Sequence, residues 1–326
     1  MAALLLKEAG YGVVGIHMWL CDSPDSRHQA SQAEDIARIL SIPFHVLDLQ
    51  KEFEHYVVDY FCQEYQQGQT PNPCIACNQH VKFGFVLDKA LSLGVDYFAT
   101  GHYTKVEHSD ECYHLLKAAD VSKDQSYFLY TLSQEKLKYI LFPLGSYSKS
   151  KVKQIVKEGG LPSDIKPSQD ICFISQKNYR AFLGQRFLNI PGDIVDTQGG
   201  ILGHHQGIAF YTIGQRHGLG LALGKPLYVI KIEPEHNRVV LGSGEELYSE
   251  KVTAKKLNWV SGEQPSSPIT VTAKIRYKSR EAVATLFPRA NYVDVSFSQP
   301  QRAITPGQAI VFYKGNEVLG GGIINH

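Results

Sequence analysis

The sequence carries no excess of charge: 33 lysine and arginine residues against 32 aspartate and glutamate leave a formal net charge of +1 over 326 residues. Overall basicity therefore gives no reason to expect nucleic-acid binding, and any such surface must be a local patch. No apolar run approaches the roughly 18–20 residues of a membrane-spanning helix. The opening Met1-Ala2-Ala3-Leu4-Leu5-Leu6-Lys7-Glu8 lacks the basic leader and cleavage site of a secretory signal. Cysteine is sparse and irregular: six residues, at 21, 62, 74, 77, 112 and 172, do not form the framework of a small secreted domain. A reducing, cytoplasmic setting is expected.

At 326 residues, 43 % of them hydrophobic, the chain can bury more than one core, and two or three domains are expected. Ala2 to Ala9 has helical spacing with Gly10 as its stop, and Val13 to Met18 reads as a buried strand. Trp19 to Arg27 reads as a loop, Gln32 to Leu40 as a helix and Ile42 to Leu47 as a strand. Phe53 to Tyr65 and Lys82 to Leu93 again have helical spacing, and Tyr97 to His102 is a strand running into a glycine turn. This β-α-β alternation argues for a parallel sheet flanked by helices, with ligands at the carboxyl ends of its strands, where Met18, Gly101 and His102 fall. Ser148 to Gly159 completes this part as a helix with a Gly159-Gly160 stop. From about Tyr179 the helical spacing fades into short, glycine-rich strands. From Val252 to the end, strand-period alternation broken by Gly and Pro turns indicates an antiparallel β-barrel. The division expected is 1–180, 181–247 and 248–326.

The chemistry-bearing stretch is Thr70-Pro71-Asn72-Pro73-Cys74-Ile75-Ala76-Cys77-Asn78. Pro73 has a φ suited to the first turn of a helix and no N–H to leave unpaired there, so the cysteines are expected where a loop becomes a helix. A thiol at such a start feels the positive end of the helix dipole, which predicts a lowered pKa. Zinc binding, a redox dithiol and plain structural cysteines are competing explanations. The first lacks a second C-x-x-C pair, with only His80 as a further nearby ligand, and the second normally stands directly after a first strand. Far along the chain, Ser168-Gln169-Asp170-Ile171-Cys172-Phe173-Ile174 places a lone cysteine in a short apolar run. His204-His205 has no carboxylate at ligand spacing and reads as structural; no metal site is expected. Lys274-Ile275-Arg276-Tyr277-Lys278-Ser279-Arg280 alternates basic residues, so in a strand all four would line one face, with a solvated edge strand as the alternative.

The T-P-N-P-C-I-A-C-N stretch is followed in order by A-T-G-H-Y at 99–103, K-D-Q-S-Y at 123–127, Q-D-I-C-F-I at 169–174, T-I-G-Q-R at 212–216 and I-R-Y at 275–277. In this set and order the chain resembles the tRNA-specific 2-thiouridylases across nearly its whole length. The resemblance implies a Rossmann-like α/β ATP-pyrophosphatase domain, a small central β-rich domain and a C-terminal antiparallel β-barrel. It implies ATP, with Mg2+, adenylating the C2 oxygen of the wobble uridine in the tRNA anticodon arm. Sulfur would reach Cys172 as a persulfide from a cysteine desulfurase or a relay protein. Cys77 would then release or assist transfer of that sulfur, leaving a Cys77–Cys172 disulfide to be reduced.

By the same resemblance Met18 borders the adenine and Gly101 the adenosine. Asn72, Pro73 and Cys74 lie at the target base, and His102, Lys123, Asp124, Gln125, Arg276, Tyr277 and Gln308 contact tRNA. Thr212 to Arg216 belongs to the tRNA-facing part of the central domain. Some family members carry aspartate at the place of Cys74, which is therefore assigned to positioning near the base. The family's S-G-G-x-D-S phosphate loop, which precedes the helix matching Ala2 to Ala9, does not occur in this sequence. The expectation is a sequence starting at an internal methionine, with ATP binding weakened without that loop. A noncatalytic tRNA-binding remnant and another adenylating enzyme of the same superfamily are the alternatives.

Overall fold

The computed structural model describes residues 1–162, 171–174, 178–187, 189–221 and 224–325. The helix Ala2–Glu8 ends where Gly10 takes φ +87°, a left-handed stop that costs glycine nothing. The strand Gly15–Trp19 pairs in parallel with Phe44–Asp48, Gly15 opposite Phe44 and Trp19 opposite Asp48. A second parallel pair, Phe98–Ala99 with Ile140–Leu141, supplies the other strands of this Rossmann-like region.

Three local expectations change. The helix between the first two strands is Pro24–Leu40, eight residues longer at its start than its apolar spacing indicated. Ser23 caps it, its Oγ accepting from the Ser26 N–H at 3.1 Å, and Pro24 occupies the first turn; capping chemistry extends the helix through a polar stretch where periodicity is silent. The strand Gly15–Trp19 is half-buried along its whole length rather than buried. The strand after residue 97 shrinks to Phe98–Ala99, because the chain turns away at Thr100 to bring His102 back over Phe83 and Phe142.

A helix Tyr179–Gly184, capped by Asn178, opens the central part, so the change of character falls after it. The central sheet runs in the order Ile201–His205, Gly192–Val195, Arg238–Gly242, Tyr228–Glu233, with the middle pair parallel. The last part closes on itself: Tyr248–Trp259, Val293–Arg302, Ala282–Pro288, Ile269–Lys274, Ala309–Lys314 and Glu317–Asn325 follow one another, and the last pairs with the first. Closure leaves no unpaired edge within this barrel.

The first and last parts share a core. Ile75, Phe83, Leu87, Tyr127 and Tyr130 pack in one buried cluster with Val260, Ala309, Val311, Tyr313 and Val318. A hairpin from the first part, Thr104–Ser109 with Cys112–Lys117, extends the barrel sheet, Leu116 standing opposite Glu317. At its base the Lys117 ammonium is 2.7 Å from the Glu281 carboxylate, donates to the Gly315 carbonyl at 2.9 Å and lies over the Tyr313 ring, so its buried charge is fully partnered. Among the described residues no helix is long and apolar enough to cross a membrane.

Between barrel strands, residues 305–308 turn against the start of the cysteine-bearing loop. The Thr70 N–H donates to the Pro306 carbonyl at 2.8 Å, and the Gln308 amide donates to the carbonyls of Thr70 at 2.9 Å and Pro71 at 3.3 Å. Gly307, at φ +88°, lies so close that a Cβ there would stand 2.8 Å from the Thr70 nitrogen. Gly307→Val is therefore expected to lower the melting temperature by roughly 3–8 °C, through left-handed strain and a clash with backbone. An unchanged melting curve would show the approach to be dispensable.

Candidate active site

The expected helix start is present. Asn72 is the N-cap, its side-chain oxygen accepting from the Ile75 N–H at 3.4 Å, and Pro73 is the first helical residue. The helix then runs continuously over 73–92: one α-helical turn Pro73–Ala76, a ten-residue π-helix Cys77–Val86, and a final α-helical piece Leu87–Ser92. Cys74 is exposed on the first turn, whereas Cys77 faces inward with Phe53, Val57, Val58, Phe61 and Val81.

Cys172 arrives from the other side. The turn Ile171–Ile174 closes through the Ile174 N–H to the Ile171 carbonyl at 3.1 Å, and Ile174 joins the same apolar cluster as Cys77. Phe173 anchors the turn against Phe53, Phe61 and Phe182 at ring separations of 5.7, 5.4 and 5.3 Å, leaving Cys172 exposed. Gln169 and Asp170 of the same word lie outside the described residues.

The lowered thiol pKa expected from the helix dipole is not found. Burial pushes Cys77 up to about 11, and only the Lys82 ammonium works in the opposite direction. Although Cys172 reaches the surface, the protein packed around its thiol pushes it up to about 12, with Cys77, Cys74 and Cys21 reinforcing the shift and Lys82 opposing it. The Cys74 thiol is also raised by the protein around it, again opposed by Lys82. Cys77 is the fifth helical residue, beyond the first turn to which the dipole's influence is confined and already inside the core, and Cys74, within that turn, is raised by the surrounding protein all the same.

The other motif words are knitted around this helix. Tyr103 and Gln125 exchange hydrogen bonds: the Tyr103 N–H donates to the Gln125 side-chain oxygen at 2.9 Å, and the Gln125 N–H to the Tyr103 carbonyl at 2.8 Å. The buried Asn78 amide donates to the Phe128 carbonyl at 3.2 Å, and the Tyr127 hydroxyl to the Ala309 carbonyl, next to Gln308, at 2.9 Å. His102 contacts Thr100 Oγ1 through Nδ1 at 2.7 Å; burial, aided by Lys82, lowers its pKa to about 3, so its imidazole is neutral. Lys123 is exposed, whereas Asp124 is buried and spends its carboxylate on the Ala118 N–H and on Ser126. Met18 is half-buried at the carboxyl end of its strand, and Gly101 is exposed, with Leu144 3.5 Å from where a Cβ would lie.

The cationic row departs from its expected strand. The strand ends at Lys274, and Arg276 to Ser279 form a turn, the Ser279 N–H donating to the Arg276 carbonyl at 3.1 Å. The barrel bends there to seat Tyr277 against Phe128, 4.4 Å between ring centres, beneath the Lys274 ammonium. Arg276, Lys278 and Arg280 nevertheless remain exposed, so the charge is presented from a turn. The T-I-G-Q-R word borders a separate groove of about 770 Å³ between the central sheet and the barrel, lined by Ile213, Lys231, Lys251, Phe287 and Arg289. His205 is a buried structural residue, bonded to the Asn237 carbonyl and the Gly207 N–H. Among the described residues no group of three or more His, Cys, Asp or Glu side chains is placed to hold a metal ion.

Sequence reasoning missed Lys82 and Cys21. Lys82 looked like an ordinary polar position of a helix, and only the π-helical winding after Cys77 reveals its side. Cys21 follows the strand Gly15–Trp19, its sulfur 3.2 Å from Ser26 Oγ at the helix start; its place after a strand was the available signal.

A Rossmann-like domain carrying Cys77 and the Cys172 turn, a small β-rich domain and a closed barrel docked back on the first make up the architecture. Family models match in the same order: the tRNA methyl transferase HUP domain over residues 1–176, the tRNA methyl transferase PRC-barrel domain over 180–243 and the aminomethyltransferase beta-barrel domain over 249–324. The tRNA-specific 2-thiouridylases MnmA of Acetivibrio thermocellus, Halothermothrix orenii and Moorella thermoacetica are each 46 % identical, over 99 % of this chain and 95 % of theirs. The chain belongs to the tRNA-specific 2-thiouridylase family.

The raised Cys77 thiol has a direct consequence for reactivity. Its alkylation rate, followed by peptide mass spectrometry, is expected to climb about tenfold per pH unit from pH 7 to 10, because only the thiolate reacts. A plateau below pH 9 would contradict the burial effect.

Proposed function

We propose that this chain thiolates the wobble uridine of tRNA at C2, using ATP and a persulfide carried on Cys172. The observation that carries this reading is that Cys77 and the turn Ile171–Ile174 bearing Cys172, from two separate segments, meet at one apolar cluster, with Lys82 acting on both thiols. Sulfur transfer between two cysteines needs such an approach, and the family membership supplies the substrate class.

Chemically, the Cys77 thiolate attacks the Cys172 sulfur of the persulfide. The Sγ–S bond to the sulfane sulfur breaks, hydrosulfide leaves with the electron pair, and a Cys77–Cys172 disulfide forms. The hydrosulfide adds at C2 of the uridine as the activated oxygen departs, and an external dithiol returns the two electrons to the disulfide. ATP supplies the adenylyl group that makes the C2 oxygen a leaving group. Met18 and the open backbone at Gly101 would border its adenosine, with Mg2+ held chiefly by phosphate and water oxygens. Asn72, Pro73 and Cys74 form the helix start directly before Cys77, where a flipped base would have to enter. A cysteine desulfurase or relay protein would load Cys172, whose exposure permits it.

Lys123, Arg276, Lys278 and Arg280 give an otherwise neutral chain a local cationic surface for phosphates. His102 is neutral, so its contribution to RNA binding is contact rather than charge. Cys77→Ser and Cys172→Ser are each expected to lower 2-thiouridine formation, measured by nucleoside mass spectrometry, at least about a hundredfold while tRNA binding persists. Thiolation that survives both substitutions would leave tRNA binding alone as the function. His102→Ala is expected to weaken tRNA binding with the same salt slope, whereas Arg276→Gln should reduce the slope by about 1. Equal slopes for both variants would remove Arg276 from the phosphate contacts.

A further inference from the structure

Helices wound with i→i+5 hydrogen bonds are uncommon, usually last a single turn and gather at functional sites. Here the winding persists for ten residues and begins at Cys77. Its geometric effect is specific. Residues five apart lie about 140° apart around an α-helix, on nearly opposite faces, but only about 50° apart when the repeat is i→i+5. Lys82 is the residue five beyond Cys77, so the π-helix turns a lysine that an α-helix would carry away from the thiol onto its side.

The surroundings of Lys82 match that placement. Its side chain is half-buried, and among the described residues no carboxylate lies within ion-pair distance of it. The titratable groups that feel its charge come from three elements: Cys74 and Cys77 on its own helix, Cys172 on the turn Ile171–Ile174, and His102 after the strand Phe98–Ala99. His102 is held neutral, so it supplies no positive charge at physiological pH. Cys77 itself is 7 % exposed, in apolar surroundings where an uncompensated thiolate is costly.

We propose that Lys82 is the counter-ion of the Cys77 thiolate, brought to it by the π-helical winding of Cys77–Val86. Lys82 acts through Cys77 as a positioning charge: it stabilises the anion that forms when the thiol releases its proton to solvent. The importance of that anion in sulfur transfer rests on the function proposed above, but the charge at Cys77 can be read without tRNA, ATP or a sulfur donor.

The test compares two alkylating reagents of similar size on the full chain, neutral iodoacetamide and anionic iodoacetate, with Cys77 modification followed by peptide mass spectrometry. Changes in access affect both reagents alike, whereas a local positive charge favours the anion. Lys82→Met is expected to lower the iodoacetamide rate at pH 8.5 about five- to tenfold and the iodoacetate-to-iodoacetamide ratio several-fold, with Lys82→Arg restoring both to within about twofold. A slower rate at an unchanged ratio means that Lys82 only supports packing, and overturns the proposal, as does no change in either quantity. Lys82→Gln serves the same comparison if the methionine variant does not fold. A Cys77→Ser protein that still thiolates tRNA would sink the sulfur-transfer reading while leaving the measured charge at Cys77 intact.

Discussion

Three hydrogen bonds between the barrel turn 305–308 and the backbone of Thr70 and Pro71 fix the geometry on which the site depends. A loop with two prolines has few N–H groups to spend on holding its own shape. Its carbonyls are instead gripped from outside by Gln308, and the absence of a side chain at Gly307 lets the two backbones meet. From that fixed entry Asn72 caps the helix, the helix sets the directions of Cys74 and Cys77, and the winding beyond sets that of Lys82. The resemblance had placed Gln308 at the tRNA; its amide is in fact committed to the loop that would meet the base, so any effect of Gln308 on RNA passes at least partly through that loop.

Burial and reactivity pull against each other at this site. The apolar cluster that brings Cys77 and the Cys172 turn together also disfavours the thiolate that the proposed chemistry requires. Burying Cys77 keeps water and oxidants from its thiol but raises the cost of its anion. A single cation within an otherwise apolar setting reconciles the two demands, because electrostatic interactions strengthen as water is excluded.

Much of this was legible in the sequence. The β-α-β alternation, the proline-led helix start and the strand-period C-terminal region each obey a local rule, and local rules can be read one segment at a time. The exchange between Tyr103 and Gln125, and the bond from Asn78 to the Phe128 carbonyl, could not be read that way, since nothing local to either partner announces the other. The thiol pKa values were misjudged for the same reason: the dipole is a property of one helix, whereas burial is contributed by many segments at once. The Lys274 to Arg280 row failed as a strand because Tyr277 finds Phe128, some 150 positions away in sequence, more favourable than continued pairing. The π-helix has no spacing signature of its own, so Lys82 stayed hidden.

The hairpin Thr104–Lys117 pairs with the strand Glu317–Asn325, and the loop at Thr70 leans on Pro306. During synthesis the first domain therefore leaves the ribosome with a sheet edge still unpartnered and its cysteine loop ungripped. The turn 305–308 supplies the grip and the strand Glu317–Asn325 the pairing, both from the barrel made later in the chain. A nascent chain or a truncated product can hold all six cysteines and still lack the finished loop, so completion of the cysteine loop waits on synthesis of the barrel.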